Sequence, residues 1–407
     1  MAIRFYFDIV CPYAYMASER IEELALLANE EVDWRPVLLG GVFRSLRSPD
    51  VPAAQMSAAR ARLNMLDIHR QADRLGLKIQ MPLEHPRRTV ECMRLILASP
   101  KRHRRRLVRR LYKAYWEENL DVSDRAVLHR IAAEFEIDPA CLDSETVKQA
   151  LFDATAVAVE DGVFGVPAAG VDEQIWWGVD RMHFLAKRLG VQWSPFASPA
   201  SEKQSPSSVV FFHDFSSPFS YLASTQVARV AAETGAQVEW RPILLGALFR
   251  EIGTANVPLL EMSARKQAYY LRDMKEWADW WGVPFRVTEH FPLRTVTALR
   301  VALVEPKTTP VLYEAAWARN VNIGEEALLV KELNEAGFDG EALVLKAKTP
   351  DIKQRLRENT ESAVHRSVCG VPSFLVDDEM LIWGQDRLDQ LEWAIAGWRP
   401  TQIQLPA

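Results

Sequence analysis

Two turns in this 407-residue chain hold residues able to do chemistry. Cys11 stands in Cys11-Pro12-Tyr13-Ala14 after the run IRFYFDIV, and Ser217 in Phe215-Ser216-Ser217-Pro218-Phe219-Ser220 after VVFFHDF. A side chain where a strand hands over to a helix meets unpaired N–H groups and the positive end of the helix dipole, which favour anions and thiolates. Cys11 could therefore be an acidified, reactive thiol that forms a mixed disulfide with an external thiol. Ala14 occupies the place of a second cysteine, so the chain has no resolving partner for it. Equally, Cys11 could be a small buried residue, as most free cysteines are. Ser217 cannot exchange disulfides, but its hydroxyl could donate a hydrogen bond to an external thiolate, or serve only as a helix cap.

The elements that must position these turns follow from the pattern around them. Each β-branched and aromatic run reads as a buried strand, and apolar residues at three- and four-residue spacing read as a helix over about 14–29 and about 220–234. A second strand follows, VDWRPVLL or VEWRPILL. Strand, helix and strand with a short crossover predict a parallel pair in a right-handed unit. Next come mostly helical residues, then Gly-Val-Pro and two short apolar stretches split by acidic residues, a hairpin signal. A final amphipathic helix is expected to begin at Asp180 or Asp386, either of which could cap it.

The duplication of these features is systematic. At an offset of 206, Asp8 meets Asp214, Tyr15 meets Tyr221 and Arg88-Thr89 meets Arg294-Thr295. VDWRPVLLGGVFR (32–44) overlies VEWRPILLGALFR (238–250) with nine of thirteen positions identical. The register slips by five at LYKAYWEEN (111–119) and LYEAAWARN (312–320), then recovers where VFGVPA meets VCGVPS and WGVDRM meets WGQDRL. The chain reads as a tandem duplication: copies over 1–193 and 209–400, joined by a Ser/Pro-rich linker over 194–208. The helical insertions are expected over about 53–160 and about 259–365.

Composition excludes several classes. Hydrophobic residues at 48% and charged residues at 25% describe a globular protein. The four cysteines, Cys11, Cys92, Cys141 and Cys369, show no paired spacing, which excludes a disulfide scaffold or a zinc-finger framework. The eight histidines lack ligand spacing, and no metal is expected. No apolar run suits a membrane span, and the opening MAIRFYFDIV lacks the regions of a secretory leader, so the expectation is a cytoplasmic protein without a membrane partner. A net charge of −5 does not suggest a nucleic-acid partner. KRHRRRLVRR (101–110) is basic at eight of ten positions, but without interleaved aromatics it reads as a solvated face. Trp277, Trp280 and Trp281 have near-helical spacing and read as core packing or pocket lining.

Three motifs in order, Asp-x-x-Ser-Pro-Phe-Ser-Tyr after the first strand, Gly-Val-Pro before the hairpin and Trp-Gly-Gln-Asp-Arg-Leu before the last helix, resemble the DsbA-type thioredoxin superfamily. Within it they are most similar to the branch of 2-hydroxychromene-2-carboxylate isomerases and kappa-class glutathione transferases. The resemblance covers nearly all of both copies and implies an α/β fold of two tandem thioredoxin-like domains, each with a mostly helical insertion between βαβ and ββα halves. It implies glutathione as cofactor, its sulfur held by Ser217, adding to a small electrophilic, aromatic or conjugated substrate in an isomerisation or transfer. Val166-Pro167 and Val371-Pro372 match the family's cis-proline loop, which pairs with the glutathione peptide. Asp386, beside Gln385 and Arg387, matches the aspartate that reaches the γ-glutamyl ammonium, with Asp180 as its counterpart. Asn256 matches an asparagine near the sulfur, and Lys266 is a further candidate. The first copy holds Asp50 and Arg60 at these two positions. The second copy thus keeps the fuller set, and the halves are expected to pair as an internal pseudo-dimer. Two other readings stay open: a thiol–disulfide oxidoreductase using Cys11, perhaps with Cys369, and a non-catalytic scaffold.

Overall fold

The computed structural model describes residues 2–46, 55–197 and 206–400. They fall into two compact units, one built from residues 2–46 and 65–197, the other from Met56–Asn64 and residues 206–399. Of the expected linker, residues 198–205 lie outside the described residues, as do Asp50 and Val51-Pro52.

The first copy runs β1 (Ala2–Phe7), α1 (Pro12–Leu27), β2 (Glu31–Pro36), α2 (Leu39–Ser45), α3 (Ala58–Arg74), α4 (Val90–Ala98), α5 (Lys101–Trp116), α6 (Arg125–Glu134) and α7 (Glu145–Glu160). It closes with β3 (Ala168–Val171), β4 (Gln174–Trp177) and α8 (Met182–Arg188). The second copy repeats this with β5 (Ser208–His213), α9 (Pro218–Thr234), β6 (Gln237–Pro242), α10 (Leu245–Glu251), α11 (Ala264–Trp281), α12 (Val296–Val304) and α13 (Thr308–Trp317). It continues with α14 (Glu326–Glu335), α15 (Gly340–Ala347), α16 (Pro350–His365), β7 (Ser373–Val376), β8 (Met380–Trp383) and α17 (Leu388–Ile395).

Each sheet has four strands, ordered β2-β1-β3-β4 and β6-β5-β7-β8. The first two strands of each copy pair in parallel, Phe5 with Trp34 and Phe211 with Trp240, and the hairpin strands join antiparallel. Central strands covered on both faces must be apolar throughout, which is why β1 and β5 read as continuous hydrophobic runs. Phe211 stacks on Phe374 at 4.9 Å and stands edge-on to Trp240 at 5.0 Å, in the core between sheet and helices.

Local chemistry explains where the pattern and the fold differ. Helices α1 and α9 start at Pro12 and Pro218, two residues before the apolar periodicity suggests, because a proline at the first helical position brings a suitable φ and loses no needed N–H. The register slip is a matter of helix lengths: α5 has 16 residues and α13 has 10. The second copy recovers the register with α15, where the first copy has only the short turn Pro139–Asp143. The final helices begin at Met182 and Leu388, so neither Asp180 nor Asp386 caps them; both aspartates sit in the preceding turn.

Candidate active site

Ser217 is the N-cap of α9, in extended conformation, with its Oγ accepting the Ser220 N–H at 3.1 Å. The same hydroxyl donates to the carbonyl of Val371 at 3.1 Å. The Val371-Pro372 bond is cis, so the helix start and the Gly-Val-Pro loop meet at one hydroxyl. Ser217 is 5% exposed. Among the described residues no acceptor meets the Val371 N–H, leaving a backbone donor beside the serine. Trp383, at the end of β8, lies so close to Gly370 that a Cβ there would stand 3.0 Å from the indole nitrogen.

The first copy builds the same junction with a thiol. Cys11 occupies the N-cap of α1, and its Sγ–H donates to the Val166 carbonyl at 3.1 Å, again before a cis proline, Pro167. Here the side chain accepts no capping hydrogen bond. The expected acidification of Cys11 is corrected: burial pushes the thiol up to about 12, and Asp8 adds to this, against weaker help from the Ala14 and Tyr13 N–H groups. The helix terminus does favour the thiolate, but removal from water costs more. Cys369 is likewise raised to about 12 by burial, with Arg60 opposing the shift.

A second layer holds each turn in place. Buried Asp214 accepts the Ser216 N–H at 2.9 Å and the Thr295 hydroxyl at 2.7 Å on Oδ1, and the Leu245 N–H at 2.8 Å on Oδ2. Asp8 ties Val10, Thr89 and Leu39 in the same way. One carboxyl thus binds the active turn to the starts of α10 and α12, or of α2 and α4. Burial raises the pKa of both aspartates, opposed by these hydrogen bonds. Sequence reasoning matched both Asp–Thr pairs across the copies without assigning them a task; their retention in both copies was the available signal. It also missed His213, which is fully buried, meets the Tyr313 hydroxyl at 3.1 Å and is held neutral by burial at about 3.

The remaining candidates distribute unevenly. The turn holding Gln385 and Asp386 is tied to the cis-proline loop, because the Gly384 N–H donates to the Pro372 carbonyl at 3.0 Å. Gly384 has a φ of +115°, and a Cβ there would stand 2.4 Å from Asp386 Oδ1, so the carboxylate folds back over a position that only glycine fits. Its Oδ2 lies 3.3 Å from Arg387, and Gln385 is buried. Asp180 makes the corresponding pair with Arg181 at 2.8 Å. Lys266, in the first turn of α11, is half-buried; burial and then Arg60 lower its pKa. Asn256 is exposed, with its Oδ1 against Gly246, and makes no hydrogen bond to Ser217 among the described residues.

The basic run lies on α5, where acids absorb much of it. Arg105 pairs with Glu22, Arg109 with Glu19, and Arg110 with both Glu118 and Glu134. Arg104 donates to the Trp34 carbonyl. Trp277 and Trp281 pack 4.7 Å apart, Trp281 against the core of the second unit, whereas Trp280 is exposed. No group of metal-ligating residues is present among the described residues, and no described helix is long and apolar enough to cross a membrane.

A sequence profile of the DSBA-like thioredoxin domain matches residues 2–190 and again residues 208–396. The chain belongs to that family, in two tandem copies. One relative of this DSBA-like chain is the 2-hydroxychromene-2-carboxylate isomerase of Pseudomonas putida, 29% identical over 197 residues, which are 46% of this chain and 93% of that protein. The isomerase of Sphingobium xenophagum is 30% identical over 187 residues, 45% of this chain and 94% of its own. Human glutathione S-transferase kappa 1 is 26% identical over 205 residues, 46% of this chain and 89% of its own. A solved 2-hydroxychromene-2-carboxylate isomerase structure matches at 22% identity and a TM-score of 0.42, covering 47% of this chain and 95% of that one.

Proposed function

We propose that the second copy is a glutathione-dependent isomerase or transferase site for a small conjugated electrophile. The observation that carries this reading is Ser217: a buried hydroxyl at a helix start, bonded to the carbonyl before a cis proline, in a chain similar to isomerases of this type and to a kappa glutathione transferase. The donor set suits a peptide thiol, since the Val371 N–H is an orphan amide beside a hydroxyl that can turn towards a sulfur. Bound there, glutathione would supply a sulfur nucleophile that adds to a conjugated double bond and leaves after rotation, or stays attached in a transfer. Ser217 would give up its bond to the Val371 carbonyl and donate to the sulfur, while the N-terminus of α9 favours negative charge there. Asp386 is the candidate for the ligand's ammonium, Lys266 for an anionic group, and the Val371-Pro372 and Gln385 backbone for the peptide. In the first copy, Val166, Pro167 and Asp180 are the corresponding candidates around Cys11.

Thiol–disulfide chemistry at Cys11 is the weaker reading, because a thiol raised to about 12 is almost entirely protonated near neutrality. Isothermal titration of the whole protein with glutathione tests the proposal. Binding that weakens in Ser217→Ala is expected; no binding at millimolar glutathione overturns it.

A further inference from the structure

Away from the candidate site, helix α5 carries a surface that the second copy lacks. Two ion pairs tie it to α1, Arg109 to Glu19 and Arg105 to Glu22 at 3.5 Å. Glu19, Glu22 and Leu26 stand three and four residues apart on one face of α1. Arg109, Arg105 and Arg102 have the same spacing, in reverse order, on one face of α5. The two pairs run in opposite chain directions, so the third rung of this ladder sets Leu26 beside Arg102. Where an acid would close the ladder stands a leucine that is 80% exposed, followed by Leu27, 55% exposed. Among the described residues no carboxylate pairs with Lys101, Arg102 or Arg106, and all three are exposed.

The start of α5 also works against its own helix. Its first turn, Lys101-Arg102-His103-Arg104, holds no acid, so cations crowd one another at the positive end of the helix dipole. The run falls where the first copy has five more residues than the second, whose α13 begins Thr308-Thr309-Pro310. The counterparts of Glu19, Glu22 and Leu26 are Thr225, Ala228 and Ala232. The second copy packs α13 on α9 without any of these groups, so the fold does not require them. We infer that the start of α5 and the end of α1 form a docking surface for an anionic membrane, the cations against lipid headgroups and the two leucines in the layer beneath. Cations alone would suit any polyanion. Exposed leucines beside them suit a lipid layer, where their burial adds to the attraction, and gain nothing on a phosphate backbone. Of the acids near the leucines, Glu23 is taken up by Arg20, while Glu30 and Glu31 follow in the chain and subtract from the attraction. Nothing in this surface depends on the glutathione reading.

Flotation of the full chain with phosphatidylcholine vesicles, with and without phosphatidylserine, tests the surface. Binding to the phosphatidylserine vesicles alone, weakening as salt rises, is expected. Replacing Lys101, Arg102 and Arg106 together by glutamine should weaken it about a hundredfold. Leu26→Ser with Leu27→Ser should weaken it about tenfold and leave the salt dependence in place. Both variants change only exposed side chains, and each tests a different half of the surface. No binding to phosphatidylserine vesicles at low salt overturns the inference, as does equal binding by wild type and the glutamine variant. A serine variant that binds like wild type overturns it as well, since the patch would then be charge alone. Binding of a single-stranded oligonucleotide in place of vesicles would assign the patch to nucleic acid and overturn the membrane.

Discussion

The two copies place different atoms at one junction. Cys11 and Ser217 both cap a proline-started helix and both donate to the carbonyl before a cis proline at 3.1 Å. Only the serine side chain makes a capping hydrogen bond, accepting the Ser220 N–H; at Cys11 the nearby N–H groups of its helix help the thiolate but form no such cap. Beneath the turn the first copy has Phe7 where the second has buried His213, and the turn after the hairpin holds Val179 where the second has Gln385. The scaffold is kept and the polar chemistry is concentrated in one copy. Position at a helix start does not by itself make a reactive thiol, because burial decides the charge state first.

The largest expected effect concerns Cys11. With burial pushing its thiol up to about 12, Cys11 should be alkylated near neutrality at least about a hundredfold more slowly than a free cysteine. Labelling at the rate of a free thiol, followed by mass spectrometry, would restore the first copy as a reactive site. Next, Ser217→Ala should lower the rate of glutathione addition to a conjugated enone about a hundredfold, the scale of losing one preorganised donor, while Cys11→Ser has little effect. Equal losses would erase the contrast between copies.

His213 offers a pH test. Its folded pKa, about 3, lies below the ordinary 6.5, so the fold holds it neutral while the unfolded chain takes a proton. Its contribution to stability is present above the unfolded value and is lost as pH falls from 6.5 towards 3. Between about pH 7.5 and about pH 5 this costs about 2 kcal/mol, and His213→Phe should remove that slope in urea denaturation. An unchanged slope would show that His213 is not the group responsible. Smallest is a difference in packing: a Cβ at Gly165 would stand 2.7 Å from the Trp177 indole nitrogen, against 3.0 Å for Gly370 and Trp383. Gly165→Ala should therefore lose more stability than Gly370→Ala, by about 1 kcal/mol within the usual cost of overpacking. The reverse order in thermal unfolding would contradict the geometry.

Much of the fold was legible because its signals are local or repeated. Continuous apolar runs marked β1 and β5, and the offset of 206 exposed the duplication at once. Ser217 and the Gly-Val-Pro loops could be named because their positions are fixed by a turn and a proline. What escaped depends on distance along the chain. Asp214 reaches Thr295 across 81 residues, and no spacing rule reveals that bond. The state of Cys11 depends on how completely the surrounding helices remove it from water, which residue type alone does not disclose. Asp180 and Asp386 looked like caps because aspartate is a favoured cap, yet a positive-φ glycine before each turns the carboxylate back on its own loop.

The central claim is that a sulfur is held at Ser217 and not at Cys11. The most direct test is the pKa of the glutathione thiol bound to the full chain, followed by ultraviolet thiolate absorbance in wild type, Ser217→Ala and Cys11→Ser. A value below that of free glutathione in wild type and Cys11→Ser, restored to the free value in Ser217→Ala, is the predicted result. A lowered value that survives Ser217→Ala, or that disappears only in Cys11→Ser, would contradict it.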